Sequence, residues 1–205
     1  MPTYVDDIAV TFQGQTLGEV VKEAQDRATP VGRVVVEVSV DGEPLIGDQL
    51  TARDGDPVVD GEIKIITAEP TELLLDTLVM TRGKLDEVIE FQQQAADCLQ
   101  RDESSQGMEA LNKAIDIWLM VQQAVEQSAM MQQIPFSELT AGELSFEQLV
   151  KQLIDQLESL KVALIARDTV AVADTLEYEW PAMTEQWRTV IDALMSKIQA
   201  GTANS

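Results

Sequence analysis

The sequence predicts an α+β protein. A small N-terminal sheet with one helix is expected over residues 1–69, and an antiparallel four-helix bundle over residues 70–205. Three observations predict this. The first 70 residues hold 7 of the 11 Gly and 5 of the 7 Pro. They also carry a β-branched run, Val34-Val35-Val36-Glu37-Val38-Ser39-Val40. After Pro70 the breakers thin out, and apolar residues recur at spacings of three, four and seven, the period of an amphipathic helix. Pro70 is the expected boundary because Pro suits the first turn of a helix.

In the N-terminal part, Ile8 to Phe12 alternates apolar and polar side chains, which predicts a strand. Thr16-Leu17-Gly18-Glu19 has the form of a capping box, in which the Thr16 hydroxyl accepts from the Glu19 N–H and Glu19 reaches back. Leu17, Val20, Val21 and Ala24 then share one helical face. In the strand from Arg33 to Val40, strict alternation places Val34, Val36, Val38 and Val40 on one face. Asp41-Gly42 predicts a hairpin turn, since both central positions of a type I′ turn need positive φ. Leu45-Ile46 begins the return strand, and Glu62 to Thr67 alternates again with Ile63 and Ile65 on one face.

In the helical part, Thr71 is expected to cap a first helix that runs to about Leu99, with Leu74, Leu78, Leu85, Val88, Ile89, Ala95, Ala96 and Leu99 inward. A polar break follows at Arg101 to Ser105, with Ser105 a candidate N-cap. Met108, Leu111, Ala114, Ile115, Trp118, Val121, Val125 and Ala129 line the second helix. Residues 132–145 read as a loop. Ser145-Phe146-Glu147-Gln148 forms a second capping box. The third helix carries Leu149, Leu153, Leu157, Leu160, Leu164 and Ile165, and Asp168 caps the fourth. There Val172, Leu176, Trp180, Met183, Trp187, Ile191 and Leu194 form a stripe in which Pro181 should kink or break the helix. The two hairpins are candidates for a duplication. Cys98 to Asp102 matches Leu164 to Asp168, and with one deletion Leu111 aligns with Leu176, Ile115 with Trp180 and Val125 with Val190. Two generic helical hairpins would align nearly as well, so both origins stay open.

Composition narrows the chemistry. The formal charge is −22, with 36 acids against 14 bases. Nucleic acid is an unfavourable partner because its binding depends on Lys/Arg releasing counterions, and anionic membrane surfaces are disfavoured for the same reason. The acidity serves solubility, or a partner with a basic surface. Absence of His removes the Ser-His-Asp and Cys-His mechanisms and the histidine metal sites. Cys98 is the only cysteine, so no intrachain disulfide or multi-cysteine zinc site can form, and its helical setting reads as a small core residue. No uncharged apolar run reaches the length of a membrane span. The expected location is cytoplasmic, with no cofactor and no catalytic or metal-ligating residue assigned.

Two segments are candidates for function. Asp54 to Glu62 alternates carboxylates as a Ca²⁺ loop does. Asp54 and Asp56 fit that pattern and Val58 does not, and a pair of turns accounts for the Gly, Pro and Asp equally well. The second segment, Leu176 to Trp187, gathers Tyr178, Trp180 and Trp187 in a chain with only 3 Trp and 2 Tyr. Glu177 and Glu179 lie about 200° apart on a helix, so they form no carboxylate pair. Trp180 and Trp187 share a face, which suits either the bundle core or an aromatic anchor in a partner groove. Trp118, Trp180, Trp187 and Tyr178 are the candidate partner-binding residues. Met120, Met130, Met131, Met183 and Met195 suit an adaptable partner surface or core gaps.

In size and element order, residues 5–68 resemble the β-grasp (ubiquitin-like) arrangement, although a second strand before the helix is missing. No Gly-Gly tail follows the last strand, so conjugation lacks its reactive terminus. The strand at Gly32-Arg33-Val34, the Asp41-Gly42-Glu43-Pro44 turn and the segment Leu176 to Trp187 together resemble a group of uncharacterised bacterial proteins of this size. That resemblance implies a bacterial cytoplasmic origin and no known active site. Flagellar and type III export chaperones, which hold a partner helix in a groove, are similar in class only. The expected function is a non-enzymatic protein-interaction module, an adaptor or chaperone whose partner offers a basic or helical segment, with self-association open. The alternative is a structural or regulatory protein whose N-terminal domain binds a small ligand or metal through the 48–62 loop.

Overall fold

A computed structural model describes residues 2–46, 48–57 and 61–202. The protein is mixed α+β, with a small N-terminal sheet and a C-terminal helical region. It divides into two compact units, Met1–Leu73 and Leu74–Ser205.

The N-terminal unit is a five-stranded sheet with one long helix. Its elements are β1 (Thr3–Val5), β2 (Ile8–Val10), α1 (Leu17–Ala28), β3 (Val34–Val40), β4 (Glu43–Leu45), α2 (Asp48–Ala52) and β5 (Ile63–Ala68). The strand order is β2-β1-β5-β3-β4, with β1 parallel to β5 and the other pairs antiparallel. β1 supplies the strand whose absence the sequence suggested. Its turn into β2 is Asp6-Asp7, with φ of 49° and 62°, a left-handed pair that Asp tolerates without a glycine. Asp41 and Gly42 turn the second hairpin at φ of 53° and 83°. The capping box at Thr16 forms with both of its bonds. From α1, Leu17, Val20 and Ala24 bury against Val38, Ile63 and Ile65, each branched side chain contributing about 1.5–3 kcal/mol.

One expectation fails within β3. Its register against β5 passes from Val35–Thr67 to Glu37–Ile66, skipping Val36. This bulge resets the alternation, so Val35, Val38 and Val40 meet the core while Val36 is exposed. Just before the acidic segment Asp54–Glu62 lies the short helix α2. The Asp54 and Asp56 carbonyls accept from the Gly18 and Leu17 N–H groups, at 3.0 Å each. These are donors that the first turn of α1 leaves without an intrahelical partner. Val58, Val59 and Asp60 lie outside the described residues.

The helical unit contains α3 (Pro70–Gln100), α4 (Ser104–Met131), α5 (Phe146–Ala166), α6 (Thr169–Asp174) and α7 (Trp180–Thr202). α3 starts at Pro70, so Thr71 lies inside its first turn and is not the cap. α4 starts at Ser104 after Glu103, which makes no side-chain cap, so Ser105 is not the N-cap. The stretch 132–145 is not a plain loop. It holds a 3-10 turn, Phe136–Glu138, and a hairpin of β6 (Thr140–Ala141) with β7 (Leu144–Ser145). Leu139 and Phe146 are buried there, and Ser145 makes its capping box. α3 and α7 run antiparallel: Arg82 pairs with Asp192 at 2.7 Å, and Asp86 pairs with Arg188.

Pro181 does not break its helix, but the regular α-helix is interrupted just before it. α6 passes through a π-turn, Thr175–Glu179, directly into α7. The Trp180 N–H reaches back five residues to the Thr175 carbonyl. Pro lacks the N–H for the next bond, and its ring crowds the carbonyl four residues back. A π-turn widens the backbone at that point.

The turns between the paired helices match closely. Asp102 and Arg167 are both left-handed, with φ of 61° and 56°. Glu103 N–H donates to the Cys98 carbonyl and Asp168 N–H to the Ala163 carbonyl, a Schellman-type closure in each. Leu99 is therefore equivalent to Leu164, a shift of one from the Cys98–Leu164 match expected. The offset of 65 then holds without deletion to Leu111 and Leu176. Past the π-turn it becomes 66: Ala114, Ile117, Trp118, Val121 and Val125 are buried where Trp180, Met183, Thr184, Trp187 and Ile191 are buried. The second hairpin thus carries one extra residue, taken up by the π-turn.

Candidate functional site

The four aromatic residues expected at a partner surface separate into two kinds. Trp118, Trp180 and Trp187 are fully buried. Trp118 meets Trp180 and Trp187 edge-on, at centroid distances of 6.4 and 5.6 Å, and Phe146 meets Trp187 at 5.5 Å. Edge-to-face packing suits the ring quadrupoles, and these rings offer a partner no surface in this conformation. Tyr178 is 72% exposed. It stands on the π-turn with its ring outward.

The methionines also divide. Met183 is buried in the aromatic cluster's unit and Met195 is half-buried against the same core. Met120, Met130 and Met131 are 46%, 68% and 66% exposed, and Leu119 is 51% exposed. Residues eleven apart on a helix differ by about 20° in direction. Leu119 and Met130 therefore share one side of α4, and Met120 and Met131 share the other. Between them these side chains flank the solvent face of the helix.

Beside the π-turn lies a cavity of about 240 Å³ lined by Ile89, Gln92, Gln93, Asp97, Leu176, Glu177 and Pro181. Gln100 Nε2 donates to Glu177 Oε1 at 2.7 Å and holds that carboxylate. Arg101 lies 3.4 Å from Asp97. Gln92 is 1% exposed, and both its amide atoms lack a hydrogen-bond partner among the described residues. A buried polar group left unpaired costs about 1–3 kcal/mol. Sequence reasoning missed Gln92, which falls on the inward face of α3 between Val88 and Ala95. A Gln on a stripe that is apolar elsewhere from Leu85 to Leu99 was the available signal.

Polar order in the N-terminal unit centres on Thr67. Its N–H and hydroxyl donate to the two Asp6 carboxylate oxygens at 2.7 and 2.6 Å. Arg33 donates to the Thr67 hydroxyl and carbonyl at 2.7 and 2.6 Å. Burial raises the Asp6 pKa, but the Thr67 bonds and the Arg33 charge together outweigh it and hold the group below the ordinary value. An adjoining cavity of about 290 Å³ has mostly apolar walls, including Val5, Ile8, Val10 and Phe12, with Arg27 and Arg33 beside them.

Among the described residues, no cluster of three or more Cys, Asp or Glu is placed to hold a metal. No helix among them is long and apolar enough to cross a membrane. Cys98 is buried. No curated protein and no solved structure matches the chain. Residues 76–190 match the family described as a domain of unknown function, DUF8042. That span runs from the first turns of α3 into α7 and contains both hairpin turns, the three tryptophans and the cavity at the π-turn. It covers more than half of the sequence, and the chain belongs to the DUF8042 family.

Proposed function

We propose that the protein is a non-enzymatic interaction module, an adaptor or chaperone that receives a partner segment on the outer face of α4. The observation that carries this reading is the exposure of Leu119, Met120, Met130 and Met131 along that face. Large apolar side chains grouped on a surface mark interaction sites, and unbranched, polarizable Met adapts to varied partners. The charge of −22 favours a basic partner segment, by an attraction that weakens as salt screens it. A bacterial cytoplasmic setting of flagellar or export type belongs to the same reading. Its support is the class similarity of small acidic helical chaperones. In this reading the helical unit is an antiparallel four-helix bundle made of two duplicated hairpins, supported by the matched turns at Asp102 and Arg167. The N-terminal unit is β-grasp-like, supported by its strand order.

The test is affinity capture from cells of the source organism, with the natural chain and a Met120→Gln, Met130→Gln, Met131→Gln variant compared at equal folded content. A partner recovered by the natural chain and lost with the variant supports the reading. A partner recovered equally by both removes α4 from the interface. The second reading, a ligand site in the N-terminal unit, draws on the mostly apolar cavity lined by Val5, Ile8, Val10 and Phe12.

A further inference from the structure

The cavity beside the π-turn has features that packing does not explain. The first hairpin closes its second helix over the same buried positions without an extra residue. The residue added across Thr175–Glu179 has no counterpart there. Next to it, Leu176, Glu177 and Pro181 form one wall of a cavity whose other wall carries Gln92 and Asp97. π-turns of this kind are frequent at functional sites.

The chemistry of the walls selects the ligand. Glu177 and Asp97 are carboxylates, and the nearby base, Arg101, is already drawn to Asp97. Pro181 supplies no N–H to the turn before it, where Leu176 and Glu177 stand. Both residues line the cavity. Gln92 adds a carboxamide whose oxygen has no donor and whose nitrogen has no acceptor among the described residues. The site is thus rich in acceptors and negative charge. Ile89, Leu176 and Pro181 give it apolar surface as well. Its volume of about 240 Å³ lies below the roughly 300–1,000 Å³ of drug-sized sites, which favours one short group over a nucleotide.

We propose that this cavity binds a cationic nitrogen on an apolar stem, of the alkylammonium or guanidinium class. The nitrogen bonds the Glu177 carboxylate, one of its N–H groups supplies a donor to the Gln92 carboxamide oxygen, and the stem rests on Ile89, Leu176 and Pro181. The same chemistry reaches the site from a free amine or from an arginine side chain of another chain. The proposal stands whether or not a partner docks on α4.

The experiment is an NMR titration of the full chain with putrescine, with N-acetyl-arginine methylamide, and with uncharged N-acetyl-leucine methylamide. Saturable shifts of the Gln92 side-chain NH₂ and of the Leu176 and Glu177 amides are expected with a cation and not with the leucine compound. Tighter binding of putrescine assigns a free amine, and tighter binding of the arginine compound assigns a presented side chain. Glu177→Gln should weaken binding about tenfold or more, as loss of a charge-assisted bond does. A second variant, Tyr178 deleted together with Pro181→Ala, restores the register of the first hairpin and should stay folded without binding. Absence of saturable shifts with either cation overturns the proposal. So does undiminished binding in either folded variant, or a response spread over the acidic surface that vanishes at raised salt and never reaches Gln92.

Discussion

Trp118 and Trp187 meet edge to face, with ring centroids 5.6 Å apart and planes 69° from parallel. The contact joins α4 to α7, and both residues are fully buried. Trp187 also meets Phe146 at the start of α5, so one side chain links three helices.

Trp187→Ala should therefore cost about 3–5 kcal/mol of stability, the range for removing a large aromatic from a core. Tyr178→Ala, at an exposed position one helical segment earlier, should stay within about 0.5 kcal/mol. Urea melts followed by far-ultraviolet circular dichroism compare the two. Equal effects would mean that the exposed and buried aromatics are not energetically distinct.

The N-terminus of α5 gives a second prediction. Ser145 Oγ accepts from the Gln148 N–H at 3.3 Å, and Gln148 Oε1 accepts from the Ser145 N–H at 2.8 Å. Ser145→Ala removes the first bond and should cost about 0.5–2 kcal/mol, while Ser145→Gly costs only a few tenths. Thermal melts of the two variants should rank in that order, with the glycine form the more stable.

Local signals that depend on a few adjacent residues were legible in the sequence. The boxes at Thr16 and Ser145, the Asp41-Gly42 turn and the Asp168 cap all form. So were the buried stripes of α3, α4 and α7, because a 3.6-residue period survives any choice of neighbour. The failures needed tertiary information. β1 is three residues long, too short to show a period, and forms because β5 offers it a parallel edge. The bulge at Val36 inverts part of β3, and a Val-rich run cannot reveal it, since either parity reads as apolar. The π-turn before Pro181 was legible only as a conflict between an unbroken stripe and a helix breaker. Trp180 and Trp187 carry the same face signal in a core or a groove, and burial alone separates the two.

Cys98 provides a third prediction. Burial pushes its thiol pKa up, and the Glu103 charge and hydrogen bond push the same way, against a smaller effect of Arg101. A protonated, buried thiol is a poor nucleophile. The folded protein should resist iodoacetamide near neutral pH, and denaturant should release one reactive thiol per chain, read by mass spectrometry. Rapid labelling of the folded form would contradict the buried placement.

The last prediction concerns acid. Asp6 turns the first hairpin at φ 49° while its carboxylate accepts two bonds from Thr67. Burial alone would raise its pKa. The Thr67 donors and Arg33 reverse that, so the folded value lies below the unfolded one. A group whose pKa is lowered by folding contributes stability that is fully present above its unfolded value, about 3.9 for Asp. That contribution fades as pH falls through the lowered folded value. Asp6→Asn removes the charge, and Asn tolerates the same left-handed backbone, so the turn itself is kept. Above the unfolded value the natural chain should hold the Thr67 amide more strongly against hydrogen exchange than the variant does. Toward lower pH the two should converge, as the Asp6 carboxyl takes up its proton. A variant whose Thr67 protection matches the natural chain across the whole range would show that the Asp6 charge does not stabilise this turn.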